Sequence, residues 1–124
     1  MSKLSAAELR YWDMLGTWLR DDWRPCPIYP NERAAERSHP RGVAEWGTGT
    51  GMKAHHFFAV GLSKRAHLEY DADHDGFERR HGVRHAQLIK NQWASLGVSP
   101  GPWMYEGMSP KRAEWLKRVL DKIF

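Results

Sequence analysis

The chain has 124 residues, which is enough for one domain with a modest core, and we expect residues 1–124 to form that single domain. Its 19 lysines and arginines exceed its 15 acidic residues, and the net charge of +4 permits a nucleic-acid partner without requiring one. The single cysteine excludes an intramolecular disulfide and a cysteine-rich zinc site, and no apolar run approaches the roughly 18 residues of a membrane-spanning helix.

The first half of the chain predicts one clear helix. Residues 5–20 have apolar side chains at helical spacing, and Ser5 with Glu8 forms a capping box at the start. Three prolines in the following RPCPIYPNE exclude a helix there. A short helix is predicted at residues 31–37, and the alternating glycines and threonines of Gly47–Gly51 indicate a mobile loop.

The second half predicts one strand and then a series of helices. The short apolar run FFAVGL, residues 57–62, is the best strand candidate. The helices that follow have recognisable ends, such as a glycine after the last turn or a serine and a proline at the start. They are predicted at residues 64–72, 75–82, 83–97 and 109–124. The fold class is therefore α+β and mostly helical.

Residue types that bind metals are concentrated between residues 53 and 82. This stretch holds five histidines and the run DADHDG, whose start matches a calcium-binding EF-hand loop. The loop position that needs a bidentate glutamate falls on Gly82, so we exclude that site. His67 and Asp71 lie four residues apart and would share one side of a helix. They are a candidate pair of metal ligands, with an exposed polar helix face as the alternative.

Two further features bear on location and packing. The N-terminal stretch MSKLSAAELRYW lacks the apolar run of a signal peptide, so with its single cysteine the chain is expected in the reducing cytoplasm. Seven tryptophans are many for this length. Large aromatic side chains either add buried area to a small core or form a binding interface, and both alternatives stay open.

Several short motifs follow one another in the order found in a known family. KAHHF, FAVGLS and AHLEYD take the places of its K-x-H-D, its strand with P-L-C, and its H-H-x-x-x-H. GFERRHGV and AQLIKNQWASLGV match its F-E-x-x-Y-G-V segment and its Leu-rich helix. Upstream, RPCPIY and SHPRG stand near its C-x-x-C and its first catalytic histidine. The chain thus resembles the phage-type HNH (ββα-metal) endonuclease-like family of lambdoid phages and prophages, which implies a small ββα-metal-like core at about residues 26–98 between N- and C-terminal helices.

The resemblance also implies that this chain lacks most ligands of the family's structural zinc site. Of the ligands of the family's structural zinc only Cys26 remains, because Tyr29, Ser63 and Ala66 stand at the other positions and bind zinc poorly. The remaining correspondences imply three catalytic candidates, with His39 as the general base, and a metal pair. The catalytic candidates are His39, His56 and His67, and the metal ligands are His67 and Asp71. No cofactor is expected, and an active site of this kind would use Mg²⁺ or Mn²⁺.

The lost zinc site favours a degenerate member of this family, encoded by a phage and acting in the host cytoplasm by binding. One partner class is nucleic acid, contacted through Arg79, Arg80, Arg84 and Lys90. The other is a host or phage protein that processes nucleic acid, for instance a CRISPR effector that the chain would inhibit through a tryptophan-rich interface. The alternative is an active metal-dependent HNH DNA endonuclease with an altered ligand set. A stable oligomer that binds neither DNA nor metal would favour a structural role.

Overall fold

The computed structural model describes residues 4–40, 46 and 55–124 of the chain. These residues contain five α-helices and a two-stranded antiparallel sheet. This confirms the mostly helical α+β class. The elements in chain order are α1 (Ala6–Asp21), β1 (Glu36–Ser38), a 3₁₀ turn (His56–Phe58), β2 (Val60–Leu62), α2 (Lys64–Ala72), α3 (His74–His81), α4 (His85–Leu96), a second 3₁₀ turn (Pro102–Tyr105) and α5 (Pro110–Ile123). The loop predicted at Gly47–Gly51 lies outside the described residues.

The helix ends follow the local signals in the sequence. The Ser5 hydroxyl accepts from the Glu8 amide at 3.2 Å, and the Glu8 carboxylate accepts from the Ser5 amide at 3.1 Å, which is the predicted capping box of α1. Gly82 ends α3 with a φ of 62°, a left-handed conformation that costs a glycine little. Ser109 caps α5 through the Arg112 amide.

The helix predicted at residues 31–37 is wrong, because the end of this segment forms β1. The Ala35 amide donates to the Leu62 carbonyl at 3.1 Å, and β1 then pairs with β2. The strand predicted at 57–62 is correct only for its second half. Phe57 and Phe58 lie in a 3₁₀ turn that buries both rings, whereas a strand would direct consecutive side chains to opposite faces.

The two-stranded sheet lies between α1 on one face and α2 on the other. Arg37 pairs with Gly61 across the strands, and both face α1, where the Leu19 side chain lies directly over Gly61. Glu36 points to the opposite face, because side chains alternate along a strand, and it contacts α2 there. The sheet thus separates two sets of polar residues.

The core is rich in aromatic residues, and their polar atoms find partners. The Trp93 indole donates to the Tyr11 hydroxyl at 3.0 Å and lies 3.2 Å from the Phe57 carbonyl. The Gln92 amide accepts from the Gly61 amide at 2.8 Å, which joins α4 to β2. Among the described helices, none combines the length and the apolar character that crossing a membrane requires.

Candidate functional site

His39 and His56 meet beside α1. His39 follows β1, His56 begins the 3₁₀ turn, and His39 Nε2 lies 2.8 Å from His56 Nδ1, so one ring donates a hydrogen bond to the other. Trp12 of α1 stacks on both rings, with centroid distances of 5.0 and 4.2 Å. The Arg37 guanidinium lies 4.1 Å from the centre of the Trp12 ring. The structure therefore brings two of the three predicted catalytic histidines together in a half-buried aromatic and cationic setting.

His67 lies in a different environment, between two carboxylates. His67 Nε2 lies 3.2 Å from an Asp71 carboxylate oxygen, as the spacing of four residues predicts, while His67 Nδ1 lies 2.7 Å from Glu36. The two ring nitrogens point in different directions, so the three side chains do not converge on one point. Within residues 4–40, 46 and 55–124, no group of three or more histidine, cysteine or acidic side chains is arranged to hold a metal ion.

The sheet keeps these two histidine environments apart. The contacts of Arg37 and His39 with Trp12 place the first environment on the α1 face. The contact of Glu36 with His67 places the second on the α2 face. His39 and His56 are therefore paired with each other and not with His67. Glu36 was missed by sequence reasoning because residues 31–37 read as a helix, and its contact depends on a strand.

Tyr29 and Ser63, which the family resemblance places at zinc-ligand positions, make local hydrogen bonds. The Tyr29 hydroxyl donates to the Glu69 carboxylate at 2.6 Å, and this hydrogen bond raises the pKa of Tyr29 and lowers that of Glu69. The Arg65 guanidinium lies 3.8 Å from the centre of the Tyr29 ring. The Ser63 hydroxyl caps α2 by accepting from the Ala66 amide. The contacts of Tyr29 join the proline-rich segment to α2.

The four basic residues predicted to contact nucleic acid are all exposed but do not form one positive surface. Arg80 lies 3.9 Å from the Asp73 carboxylate. Lys90 lies 5.7 Å from the centre of the Phe124 ring at the C-terminal end of the chain. Arg79 and Arg84 share a shallow depression with acidic neighbours; its charged lining residues are Asp75, Glu78, Arg79 and Arg84. This surface is mixed in charge.

A comparison with protein-family models matches residues 4–99 to a family described as Protein of unknown function (DUF968). The match covers more than half of the chain. The chain belongs to the DUF968 family. No curated protein and no solved structure matches it. The DUF968 match contains both histidine environments and every element from α1 to α4, whereas α5 lies beyond it.

A buried ion pair joins α5 to the part of the chain matched by DUF968. Two nitrogens of Arg112 donate to the Glu8 carboxylate at 2.8 and 2.6 Å, with side-chain exposures of 5% and 0%. Burial alone would raise the pKa of Glu8, but the hydrogen bonds from Arg112 and Ser5 outweigh it and lower that pKa to about 2. His55 packs against this pair, and burial followed by the Arg112 charge lowers its pKa to about 4.

A second group of arginines inside the DUF968 match was missed by sequence reasoning. They surround α1 and donate to its backbone carbonyls between Trp12 and Arg20; they are Arg24, Arg33 and Arg37. Arg20 lies on the helix itself. Cations near the C-terminal end of a helix interact favourably with its dipole, and Arg20 and Arg24 could have been noticed for this reason. Arg33 and Arg37 reach the helix only through the tertiary fold.

Proposed function

We propose that this chain is a degenerate member of the HNH-like phage family that binds nucleic acid without cleaving it. The observation that carries the proposal is the separation of His39 and His56 from His67 by the sheet. A centre of the ββα-metal type needs a general base and a divalent cation at the same phosphate, so that one activates water and the other stabilises the developing charge. The order β1, β2, α2 supports descent from such a fold.

The charge of the chain supports nucleic acid as the partner class. The net charge is +4, and arginines line the surface around α1 as well as the one around α3. Binding through phosphate contacts releases counterions, so the affinity falls steeply as salt rises. If the chain shows no salt-dependent binding to nucleic acid, the expected partner is instead a protein that processes nucleic acid, such as a CRISPR effector of the host.

The test is fluorescence anisotropy with labelled single-stranded and duplex DNA from low to moderate salt, followed by electrophoresis of the recovered DNA. We expect retention at low salt, a loss of about tenfold or more on raising the salt fourfold, and intact DNA in the presence of Mg²⁺ or Mn²⁺. No retention of any nucleic acid at low salt contradicts the proposal, and affinity capture with host extract then becomes the next experiment.

One observation favours a second candidate, an active metal-dependent endonuclease with an altered ligand set. The structure brings His39 Nε2 within 2.8 Å of His56 Nδ1, so a small separation of the two rings would allow both nitrogens to contact one divalent ion. Incubation of supercoiled plasmid with Mn²⁺ distinguishes the candidates. Nicking that disappears in His56→Ala establishes the endonuclease, and an intact plasmid at high protein concentration excludes it.

A further inference from the structure

Three arginines line one shallow depression beside the last turns of α1. They are Arg20, Arg33 and Arg37, and we call this depression the arginine groove. No acidic side chain lines it, and among residues 4–40, 46 and 55–124 none of the three arginines lies within ion-pair distance of a carboxylate. This distinguishes the arginine groove from the surface around Arg79 and Arg84, where acidic residues share the depression.

Two of the three arginines of the groove, Arg33 and Arg37, are held in place by contacts with backbone carbonyls. Arg33 Nη2 donates to the Leu19 carbonyl at 3.0 Å and to the Arg20 carbonyl at 2.7 Å, and Arg37 Nη1 donates to the Trp12 carbonyl at 2.8 Å. A guanidinium has five N–H donors in a rigid fork, so these bonds position each group and leave further donors for a ligand. Helix capping explains Arg33. It does not explain Arg20, whose guanidinium donates to the Thr17 hydroxyl at 3.2 Å.

A second depression lies on the other side of Leu19, and we call it the Trp18 cleft. Its walls include Trp18, Pro25 and Pro27, and its volume is about 150 Å³. An apolar cavity of about this size accommodates a single six-membered ring. The Arg24 guanidinium lies 3.9 Å from the centre of the Trp18 ring and donates through Nε to the Trp18 carbonyl at 3.0 Å.

The polar groups of the Trp18 cleft come from α4. Asn91 and Ser95 line it and are exposed, so their side chains can meet the edge of a ring. The neighbouring Gln92 amide is already occupied, because it accepts from the Gly61 amide and donates to the Ala59 carbonyl. The cleft therefore combines flat apolar walls, a cation and a few hydrogen-bonding groups, and Leu19 lines both the cleft and the arginine groove.

We infer that the arginine groove and the Trp18 cleft together bind single-stranded nucleic acid, with phosphates at Arg20, Arg33 and Arg37 and one base in the cleft. This inference rests on the proposed function. It adds the class of nucleic acid that is bound and the surface of the protein that binds it. Arginine forks match phosphate geometry, and bases of a single strand are free to stack on aromatic side chains. In a duplex the bases are stacked on each other and cannot enter a cleft without being flipped out.

The phosphate contact is tested with Arg20→Glu against the matched control Arg79→Glu. Both side chains are exposed and both changes reverse one charge, so the net charge of the two variants is equal. By anisotropy with fluorescein-labelled oligothymidylate at low salt, we expect Arg20→Glu to weaken binding about tenfold and to lower the salt dependence, while Arg79→Glu changes it by about twofold or less. Both arginines lie in the last turn of a helix, so the two changes should lower the melting temperature by similar small amounts, and a difference in binding between them then reflects a binding role.

The base contact is tested by filling the cleft. Ser95→Trp places a large side chain at the cleft, and Ala94→Trp, on the neighbouring exposed position of α4, is its control. We expect Ser95→Trp to weaken oligothymidylate binding about fivefold or more, because stacking of a base is lost. An abasic oligonucleotide of the same length should bind both variants equally, since it retains phosphates but has no base to place.

The outcomes separate the two proposals. No binding by the unmodified protein at low salt contradicts the proposed function and this inference together. Binding that Arg20→Glu weakens no more than Arg79→Glu overturns the inference alone and leaves nucleic-acid binding in place at another face. Equal affinity for a duplex and a single strand also overturns it, because a duplex does not supply a base to the cleft.

Discussion

At the residue scale, Glu8 and Arg112 form the most buried ion pair among the described residues. Their two hydrogen bonds of 2.8 and 2.6 Å form inside the protein, where an uncompensated charge is costly. Glu8 also serves the capping box with Ser5 and accepts from the His56 amide at 3.4 Å. One carboxylate therefore connects the start of α1, the 3₁₀ turn that carries His56, and α5.

Removal of one partner of this pair is expected to destabilise the protein severely. Arg112→Ala leaves the Glu8 carboxylate buried and unpaired, and we expect it to lower the free energy of unfolding by about 3–5 kcal/mol, measured by urea denaturation. Arg118→Ala is the control, because its 3.9 Å pair with Glu114 is exposed, and its effect should stay within about 0.5 kcal/mol. Equal effects of the two changes would contradict this account.

At the element scale, the parts of the fold that could be predicted are those set by neighbours in sequence. The capping box of Ser5 and Glu8 fixes the start of α1, and Gly82 fixes the end of α3, because both signals act over a few residues. β1 could not be predicted in this way. Its three residues pair with β2, whose partner positions lie more than 20 residues later in the chain, and no local pattern encodes that pairing.

The same distinction applies to the candidate site. The contact between His67 and Asp71 lies within one helix, so spacing alone predicts it. The contacts of His67 with Glu36 and of Arg37 with Trp12 depend on where the sheet sits between α1 and α2, which sequence spacing does not show. For this reason the sequence identified histidines of interest but assigned them to one site, and it pointed to basic residues of α3 and α4 without noting the arginines around α1.

The close approach of the sheet to α1 predicts the effect of a single methyl group. A Cβ at Gly61 would lie 2.6 Å from Leu19 Cδ2, so Gly61→Ala must displace Leu19 or separate β2 from α1. We expect a loss of about 1–3 kcal/mol in the free energy of unfolding. Gly101→Ala is a suitable control, because its backbone is extended and its nearest contact, to Trp103, is 3.3 Å. A neutral Gly61→Ala would show that Leu19 is not held against the sheet.

At the scale of the whole molecule, two buried histidines are expected to make stability depend on pH. Burial lowers the pKa of His85 from 6.5 to about 4, and burial with the Arg112 charge does the same to His55. The unfolded chain therefore binds more protons than the folded chain between these values. The free energy of unfolding is therefore highest above about pH 6.5. It falls as the pH drops toward 4, by up to about 3 kcal/mol for each histidine.

Glu8 extends this loss of stability to lower pH. The pKa of Glu8 is about 2 in the folded chain and 4.5 ordinarily, so its contribution to the free energy of unfolding disappears as the pH falls from 4.5 to 2. Urea denaturation at pH 7 and pH 5 measures the histidine part. His85→Gln should reduce the difference between the two pH values, because an amide can still donate to the Phe58 carbonyl, which His85 Nε2 contacts at 2.7 Å, but does not titrate. Equal stability at pH 7 and pH 5 would contradict the neutral state of these rings.

The pairing of Glu8 with Arg112 also has a consequence for the order of events during synthesis. The two residues are 104 positions apart, so a ribosome that adds about 5–20 residues each second makes Arg112 several seconds after Glu8. During that interval the Glu8 carboxylate lacks the Arg112 guanidinium that pairs with it in the folded chain, and an unpaired carboxylate is costly to bury. We therefore expect the buried contact between α1 and α5 to form only after α5 has left the exit tunnel.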